Sequence, residues 1–243
     1  MDRLFACPGS AILPRGVDVE GIAASWGTKV HDWVETGIYP EGSDGKEIAK
    51  RVIKSGLKRE EFWPGGEHEV ALAYNLVTGE ARRYVAPRPL PPGNSLKAHK
   101  SAWKDAFDNE WVTGTLDWVK DILDTYWVDD VKTGRNAHWK QAEAQQSCYA
   151  LMYSVYRYGK IQAGRSTIAH WPKYPIARLP LRHGSSLSED YLGTFLVKLQ
   201  KLREEILAGR DLYKTGTINE AELCVGEHCR FCPSRTACPK INQ

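Results

Sequence analysis

The sequence predicts a mixed α/β domain in which helices flank a central sheet. Two strand-like runs of apolar and polar residues lie next to each other at 111–122 and 124–134. Segments with apolar residues at helical spacing precede and follow them, at 22–37, 138–158 and 186–208. This order of elements is typical of a mixed sheet covered by helices. The 243 residues suit one large domain, or one domain with a small appendage.

The remaining elements follow from turn residues and from period-two alternation. In chain order they are a short helix at 47–57, a hairpin at 67–85 that turns at Thr78-Gly79, a proline-rich loop at 86–95 and a strand at 166–172. In the first helix Trp26, Val30 and Val34 recur on one face, so this face is expected to be buried. The central sheet is expected to carry the hairpin and the two central runs.

The composition limits the classes of protein that this chain can be. Thirty-three basic and thirty acidic residues give a net charge of +3, so nucleic acid would have to bind in a local basic groove. No apolar run is long enough for a signal peptide or a membrane span, which predicts a cytoplasmic protein without a membrane partner. In that reducing compartment the six cysteines indicate metal ligation or burial rather than disulfides.

Two carboxylates and a lysine are expected to meet on the central strands. Asp130 and Lys132 are two residues apart and face the same side of their strand, and Asp117 joins them if the two strands are neighbours. Asp129 is expected to face the opposite side. The D-x-K spacing on its own is common, and it also fits a surface hairpin whose side chains are solvated or paired.

The predicted acidic cluster has the chemistry of a hydrolytic metal site. Carboxylates pressed together in a sheet repel each other unless a cation compensates them, and oxygen ligands suit Mg²⁺ or Mn²⁺. A bound cation acidifies water and neutralises charge on a phosphodiester, while a neighbouring lysine stabilises the transition state. The cluster therefore predicts metal-dependent hydrolysis of phosphodiesters.

Four short motifs extend this pattern along the chain. They are Gly27-Thr-Lys-Val-His31, Gly114-Thr-Leu-Asp117, Asp130-Val-Lys132 and Gln145-Gln-Ser-Cys-Tyr149. On these motifs the chain resembles the RecB-like branch of the PD-(D/E)XK nucleases, which includes CRISPR-adaptation exonucleases and phage-encoded relatives. The resemblance implies a restriction-endonuclease-like α/β fold, with a central mixed sheet flanked by helices.

The resemblance also implies a role for each motif residue. The implied metal ligands are His31, Asp117, Asp130 and the backbone carbonyl of Val131. Lys132 would be the catalytic lysine, and Gln145 and Tyr149 would position the DNA backbone beside the metal. Glu69, at the start of the predicted hairpin, would either reach the same site or remain a solvated residue at the strand end.

The cysteines near the C-terminal end have the spacing of a metal site. Cys229-x2-Cys232-x5-Cys238 supplies three thiolates, and the fourth ligand is either Cys7 or Cys224. The spacing alone is compatible with structural zinc and with an iron–sulfur cluster. The resemblance favours a structural [4Fe–4S] cluster held by Cys7, Cys229, Cys232 and Cys238. Such a link would close a very long loop and thereby restrict the unfolded chain.

Two regions and one activity are therefore expected. Residues 1–221 would form the nuclease domain, and 222–243 would form a small cluster-binding lobe that Cys7 joins from the N-terminal segment. The resemblance implies a deoxyribonuclease, typically an exonuclease on single-stranded or duplex ends that fray, in recombination, repair or phage DNA metabolism. Proteins of recombination or phage replication would be its partners, and the host cytoplasm its location if a phage encodes it. The alternatives are a non-catalytic DNA- or protein-binding module on a nuclease scaffold and a zinc-bearing structural subunit.

Overall fold

The computed structural model describes residues 7–8, 22–86, 96–134, 139–173 and 180–216, and near the C-terminal end 223, 229, 232, 234 and 237–240. The chain divides into two compact units, one of Gly21–Gly193 and one that joins Met1–Glu20 to Thr194–Gln243. The larger unit contains the sheet. Cys7 and the three cysteines of the C-x2-C-x5-C motif belong to the smaller unit.

Along the described chain three helices precede the first strand, and the strands then come in consecutive pairs, each followed by one helix. The helices are α1 (Ile22–Thr36), α2 (Gly42–Ser55), α3 (Arg59–Phe62), α4 (Leu96–Asp105), α5 (Trp139–Tyr158) and α6 (Glu189–Lys214). The strands are β1 (Glu67–Asn75), β2 (Ala81–Arg83), β3 (Trp111–Ile122), β4 (Thr125–Lys132), β5 (Gly164–His170) and β6 (Leu181–Leu187). Across the residues that the structure describes, no helix is both long and apolar enough to cross a membrane.

The strands form one six-stranded sheet in the order β2-β1-β3-β4-β5-β6. Neighbouring strands are antiparallel except β4 and β5, which are parallel with Lys132 opposite His170. A parallel pair needs a crossover connection, and α5 provides it while contacting all six strands. At the centre of the sheet Trp118 of β3 pairs with Asp129 of β4. Asp117 directly precedes Trp118, and Asp130 directly follows Asp129. These two carboxylates therefore lie next to this pair, on adjacent strands.

A tryptophan-rich core joins α1 and α2 to the sheet. The α1 side chains in this core are Trp26, Val30, Trp33 and Val34, all of them buried. They pack in one cluster with Trp118, Val131, Ala169 and Trp171 from the sheet region. The ring centroids of Trp33 and Trp171 are 5.5 Å apart. This packing holds α1, and His31 with it, against the central strands.

The mixed α/β class predicted from the sequence is confirmed, and most predicted elements are present with shifted ends. The helix predicted at 47–57 begins earlier, at Gly42, and the strand predicted at 166–172 is β5. Three elements were missed, α3, α4 and β6. Strand β6 lies at the sheet edge and six of its seven residues are not buried, so it lacks apolar alternation. The loop predicted at 86–95 falls mostly outside the described residues.

Candidate metal centre

Asp117 lies where the backbone pairing of β3 with β4 ends. The last pair of the register is Trp118 with Asp129. Beyond it, the backbone N–H of Val131 donates to Asp117 Oδ2 at 2.5 Å, and both residues are buried. A short hydrogen bond to a charged acceptor fixes the carboxylate in one orientation. The other oxygen, Oδ1, lies within hydrogen-bonding distance of α1.

Helix α1 brings His31 to this carboxylate. A glycine at position 27 permits the approach, because a Cβ there would lie 2.8 Å from Thr133 Oγ1 just beyond β4. His31 Nδ1 lies 3.1 Å from Asp117 Oδ1. Burial alone would lower the pKa of His31, but Asp117 and, to a smaller extent, two further carboxylates raise the pKa to about 9. The carboxylates around His31 therefore favour a positive charge at this position.

Glu69 completes a three-residue group with His31 and Asp117. One ligand atom from each residue lies within 4.8 Å of the others, and no other such group occurs among the described residues. Glu69 has a left-handed φ of 53°, at the position where the pairing of β1 with β3 skips from His68 to Val70. This conformation costs a residue with a Cβ about 1–2 kcal/mol. Such strain persists only where the surroundings impose it, and it concentrates at functional sites.

Lys100 of α4 holds the backbone of Glu69. Its Nζ donates to the Glu69 carbonyl at 2.9 Å, and lies 3.7 Å from Glu69 Oε2 and 3.9 Å from Glu35 Oε1. Burial raises the pKa of Glu69, as does Asp117, and Lys100 opposes both. These groups line an open cavity of about 450 Å³ whose walls are formed by Gly27, Thr28, His31, Asp32, Glu35, Glu69 and Lys100. The cavity gives ions and small groups access to the carboxylates.

Asp130 and Lys132 lie on the same side of β4, as their spacing predicts. Lys132 Nζ is 2.7 Å from Asp130 Oδ2. Burial raises the pKa of Asp130, Lys132 lowers it and Asp117 raises it again, with a net rise. Apart from the ion pair with Lys132, the buried Oδ2 has no hydrogen-bond partner in the described part of the chain. A buried carboxylate with so little compensation gains from a cation.

Gln145 and Tyr149 of α5 continue the chain of contacts that begins at Lys132. Lys132 Nζ donates to Gln145 Oε1 at 2.6 Å, and Gln145 Nε2 donates to the Tyr149 hydroxyl at 2.6 Å. The Tyr149 ring packs against Gly114, where a Cβ would lie 2.6 Å from a ring carbon. The absence of a side chain at Gly114 therefore lets α5 approach β3 closely at this point.

Asp129 occupies the opposite side of β4, as strand alternation requires. It accepts hydrogen bonds from Trp63 Nε1 at 2.8 Å, from Thr167 Oγ1 at 2.7 Å, and from Arg182 Nε and Nη2 at 3.0 and 2.6 Å. Burial raises the pKa of Asp129, and all three partners lower it. The Arg182 guanidinium also stacks on Trp127, at 4.4 Å from the ring centroid. This carboxylate is compensated by protein groups alone.

The cysteines of the predicted cluster lie in the smaller unit. Cys7 is buried, and Cys229, Cys232 and Cys238 are half-buried. The backbone N–H of Cys232 donates to the Cys229 carbonyl at 3.3 Å. Of the thiols that the structure describes, no three come within 4.8 Å of one another. Cys224 lies outside the described residues, so the cluster and its ligand set stay predictions.

The residues predicted from the motifs form two groups of contacts that meet along β4, one around Asp117 and one around Lys132. Their members are His31, Asp117, Asp130, Val131, Lys132, Gln145 and Tyr149. Val131 contributes its backbone N–H, which donates to Asp117. Ligation of a metal by the Val131 carbonyl stays a prediction. Glu69, left open by the sequence, joins the three-residue group, whereas Asp130 lies outside it. Sequence reasoning gave Lys100 only as a basic residue available for phosphate contacts, and it predicted neither α4 nor the contact of Lys100 with Glu69.

Comparisons with known proteins agree with the motifs. The model of the PD-(D/E)XK nuclease superfamily matches residues 5–239. Among solved structures, a "Putative exonuclease" from Eubacterium rectale has 13% sequence identity and a TM-score of 0.46, over 88% of this chain and 75% of that one. The protein SSO0001 has 15% identity and a TM-score of 0.39, over 98% of this chain and 84% of its own. No curated protein sequence matches the chain. Because the superfamily model spans nearly its whole length, the chain belongs to the PD-(D/E)XK nuclease superfamily.

Proposed function

We propose that this protein is a metal-dependent deoxyribonuclease that hydrolyses phosphodiester bonds, acting as an exonuclease on single-stranded or frayed ends. The observation that carries the proposal is the convergence of His31, Glu69 and Asp117 beside the ion pair of Asp130 and Lys132. Buried carboxylates that bind a divalent cation, together with a lysine, are the groups that phosphodiester hydrolysis requires. The preference for DNA ends rests on the resemblance of the four motifs.

The donor set fits a hard divalent cation. Carboxylate oxygens suit Mg²⁺, and the added imidazole nitrogen is well tolerated by Mn²⁺. The buried Asp130 Oδ2, without a hydrogen-bond donor beyond its ion pair in the described residues, supports the same assignment. We infer that His31, Glu69 and Asp117 hold the cation, with Asp130 and the Val131 carbonyl as further ligands. When bound, the cation would acidify water and neutralise charge on the phosphodiester.

The Lys132 ammonium has the position of a catalytic group. It is held between Asp130 and Gln145, and about a quarter of its side chain is exposed, so it remains reachable from solvent. The positively charged ammonium of Lys132 would orient the attacking water at this position. It would also stabilise the negative charge that grows on the phosphate oxygens. Asp130 and Gln145 thus restrict the lysine to one place before DNA arrives.

Two variants test the nuclease proposal on end-labelled single- and double-stranded DNA with Mg²⁺ or Mn²⁺. Lys132→Ala and Asp130→Asn should each lower cleavage by about a hundredfold or more, as expected when a transition-state contact is lost. Lys160→Ala and Asp124→Asn change exposed residues outside the site and should cleave normally. Full activity in Lys132→Ala would overturn the assignment. Wild-type protein that binds DNA without cleaving it would instead indicate a non-catalytic module.

We also propose that Cys7, Cys229, Cys232 and Cys238 hold a structural [4Fe–4S] cluster. Their membership of one compact unit supports this ligand set. A tetrahedral zinc site with Zn–S bonds near 2.3 Å holds its sulfurs roughly 3.8 Å apart, whereas a four-iron cluster binds each thiolate to a different iron and needs a wider spacing. The described thiols form no group of three as tight as zinc requires.

Anaerobic purification distinguishes the two metals. The protein should be brown, with absorbance near 400 nm that Cys229→Ser or Cys7→Ser removes and Cys148→Ser leaves unchanged, since Cys148 is buried in α5. A colourless protein loaded with zinc would contradict the cluster. On the same resemblance we infer a role in recombination, repair or phage DNA metabolism, in the cytoplasm of the cell or of the phage host.

A further inference from the structure

We propose that Lys100 is a positioning residue for the metal ligand Glu69, and that its ammonium holds the Glu69 carboxylate in place before a cation arrives. Lys100 lies on α4 and belongs to none of the four motifs. This role rests on the proposed function, because it takes Glu69, with His31 and Asp117, as a ligand of the cation. Removal of a positive charge beside the cation site should therefore weaken the binding of the cation.

The register of β1 with β3 makes the position of Glu69 unfavourable. His68 pairs with Trp118 and Val70 with Leu116, so Glu69 lies opposite Asp117. Carboxylates that lie directly opposite each other on neighbouring strands repel. The pairing is interrupted at this point, and Glu69 has a left-handed φ of 53° that disfavours a residue with a Cβ. Such a conformation persists only where neighbouring groups impose it.

Lys100 supplies a contact of this kind from α4. Its Nζ donates to the Glu69 carbonyl at 2.9 Å, and only 14% of the side chain is exposed. A lysine buried to this extent is uncommon unless its charge is paired, and Glu69 and Glu35 provide the opposite charges. A change of Glu69 to ordinary strand geometry would turn its carbonyl away and break the hydrogen bond. The contact therefore stabilises the left-handed conformation of Glu69.

The hydrogen bond goes to the backbone of Glu69 and leaves its carboxylate available to a cation. Lys100 Nζ lies 3.7 Å from Glu69 Oε2, which is beyond hydrogen-bonding distance. A carboxylate oxygen of Glu69 lies within 4.8 Å of a ligand atom of His31 and of Asp117. The ammonium thus fixes the place of this carboxylate without replacing the cation as its partner.

The charge of Lys100 acts on a cation in the opposite direction from its positioning contact. An ammonium near the site repels a divalent cation, so loss of the charge alone would tighten binding. Glu35 Oε1 lies 3.9 Å from Nζ and offsets this charge, and the cavity that both residues line is open to solvent, which weakens the repulsion. A misplaced ligand is not offset in this way. We therefore expect the loss of positioning to exceed the relief of repulsion.

Mn²⁺ binding tests this role on the full-length protein, freed of divalent cations with a chelator and kept without DNA. The electron paramagnetic resonance signal of free Mn²⁺ gives the Kd. Lys100→Met keeps the aliphatic part of the side chain and should raise the Kd about tenfold, the equivalent of one hydrogen bond from a charged donor. Lys100→Arg can still donate to the carbonyl and should recover most of the affinity.

Lys104→Met is the matched control. Lys104 lies one turn further along α4 and donates to Thr115 Oγ1 at 3.3 Å instead of to Glu69. Its removal takes the same charge from the same helix, so the Kd for Mn²⁺ should stay within about twofold of the wild type. Thermal unfolding of each variant establishes that the fold is intact. Lys100→Gln, which is shorter and neutral, takes the place of Lys100→Met if that variant does not fold.

A double variant and a spectroscopic readout separate positioning from charge. Glu69→Gln should raise the Kd by itself, and Lys100→Met should have no further effect in that background, because Lys100 acts through Glu69. In the metal-free protein the ¹³Cα and ¹³Cβ signals of Glu69 are identified by their loss in Glu69→Gln. Their chemical shifts should move toward strand values in Lys100→Met and stay at left-handed values in Lys104→Met.

The outcomes distinguish this role from the nuclease proposal. An unchanged or lower Kd in Lys100→Met would overturn the positioning role, and a lower Kd would identify Lys100 as a repelling charge. An equal loss of affinity in the Glu69→Gln background would overturn it too, as would a wild type that binds no Mn²⁺. If the wild type binds Mn²⁺ but does not cleave DNA, the nuclease proposal alone fails, and the Kd values still decide the role of Lys100.

Discussion

The two sides of β4 carry adjacent buried aspartates with opposite surroundings. Asp129 is fully buried and accepts four hydrogen bonds from Trp63, Thr167 and Arg182. In the described part of the chain Asp130 is 3% exposed and has one ion pair, with Lys132, while the nearby Asp117 raises its pKa. The same residue type in the same strand thus has an ion pair and several hydrogen bonds on one side, and mainly an ion pair on the other, among the residues that the structure describes.

The difference teaches that burial of a carboxylate does not identify a functional site, whereas incomplete compensation does. A buried charge is tolerated where hydrogen bonds and an opposite charge replace water, which is the case for Asp129. Among the described residues the Oδ2 atom of Asp130 has only its ion pair with Lys132, and the neighbouring Asp117 adds negative charge. We therefore expect the side of Asp130 to gain from a bound cation, whereas the contacts of Asp129 stabilise the strand.

The largest expected effect concerns the compensated side. Asp129→Asn should lower the free energy of unfolding by roughly 3 kcal/mol, because the half-buried Arg182 loses its charged partner and the fully buried Asp129 site loses its ion pair. Urea unfolding of the metal-free protein measures this loss. Asp124→Asn, in the exposed β3–β4 turn, is the control and should change little. If Asp129→Asn lowers the free energy of unfolding by less than Asp130→Asn does, the comparison between the two sides of β4 is wrong.

Adding Mn²⁺ should have the next largest effect on the free energy of unfolding. This effect should depend on the carboxylates on the Asp130 side of the sheet. A cation present at a hundred times its Kd raises the free energy of unfolding by about 2.7 kcal/mol if it binds the folded state alone. We expect this gain for the wild type with Mn²⁺ and a much smaller gain for Asp117→Asn. Equal stabilisation of both proteins would mean that the cation binds elsewhere.

The smallest expected effect is a dependence of the stability on pH, measured on metal-free protein in the presence of a chelator. Burial and Asp117 raise the pKa of Asp130, despite Lys132, above the value near 3.9 of an unfolded chain. The stabilising contribution of this group is complete below that value and is lost as the pH rises through the raised pKa. The urea midpoint of the wild type should therefore fall relative to that of Asp130→Asn over this range. Parallel curves for the two proteins would contradict the raised pKa.

Strand periodicity was sufficient to predict the opposite placement of Asp129 and Asp130. The shared side of Asp130 and Lys132 followed from the same local rule, whereas Asp117 was expected there only on the condition that β3 and β4 are neighbours. Short-range patterns also predicted α1 and its buried face. These features depend on residues close in sequence, where geometry leaves few alternatives.

The partners of these residues could not be predicted in the same way. Arg182 reaches Asp129 from β6, an exposed edge strand without apolar alternation. Lys100 reaches Glu69 from α4, and Glu69 owes its place to a left-handed backbone that no sequence pattern signals for a glutamate. Such contacts depend on tertiary packing, so they became visible only in the structure.

The anchored side of β4 has a consequence for how this fold can change in evolution. The hydrogen bonds of Asp129 to Trp63, Thr167 and Arg182 hold the strand without any contribution from Asp130 or Lys132. Selection for stability alone would therefore retain Asp129 and Arg182 while leaving Asp130 and Lys132 free to drift. A relative that keeps the first pair and lacks the second would be a former nuclease that survives as a scaffold.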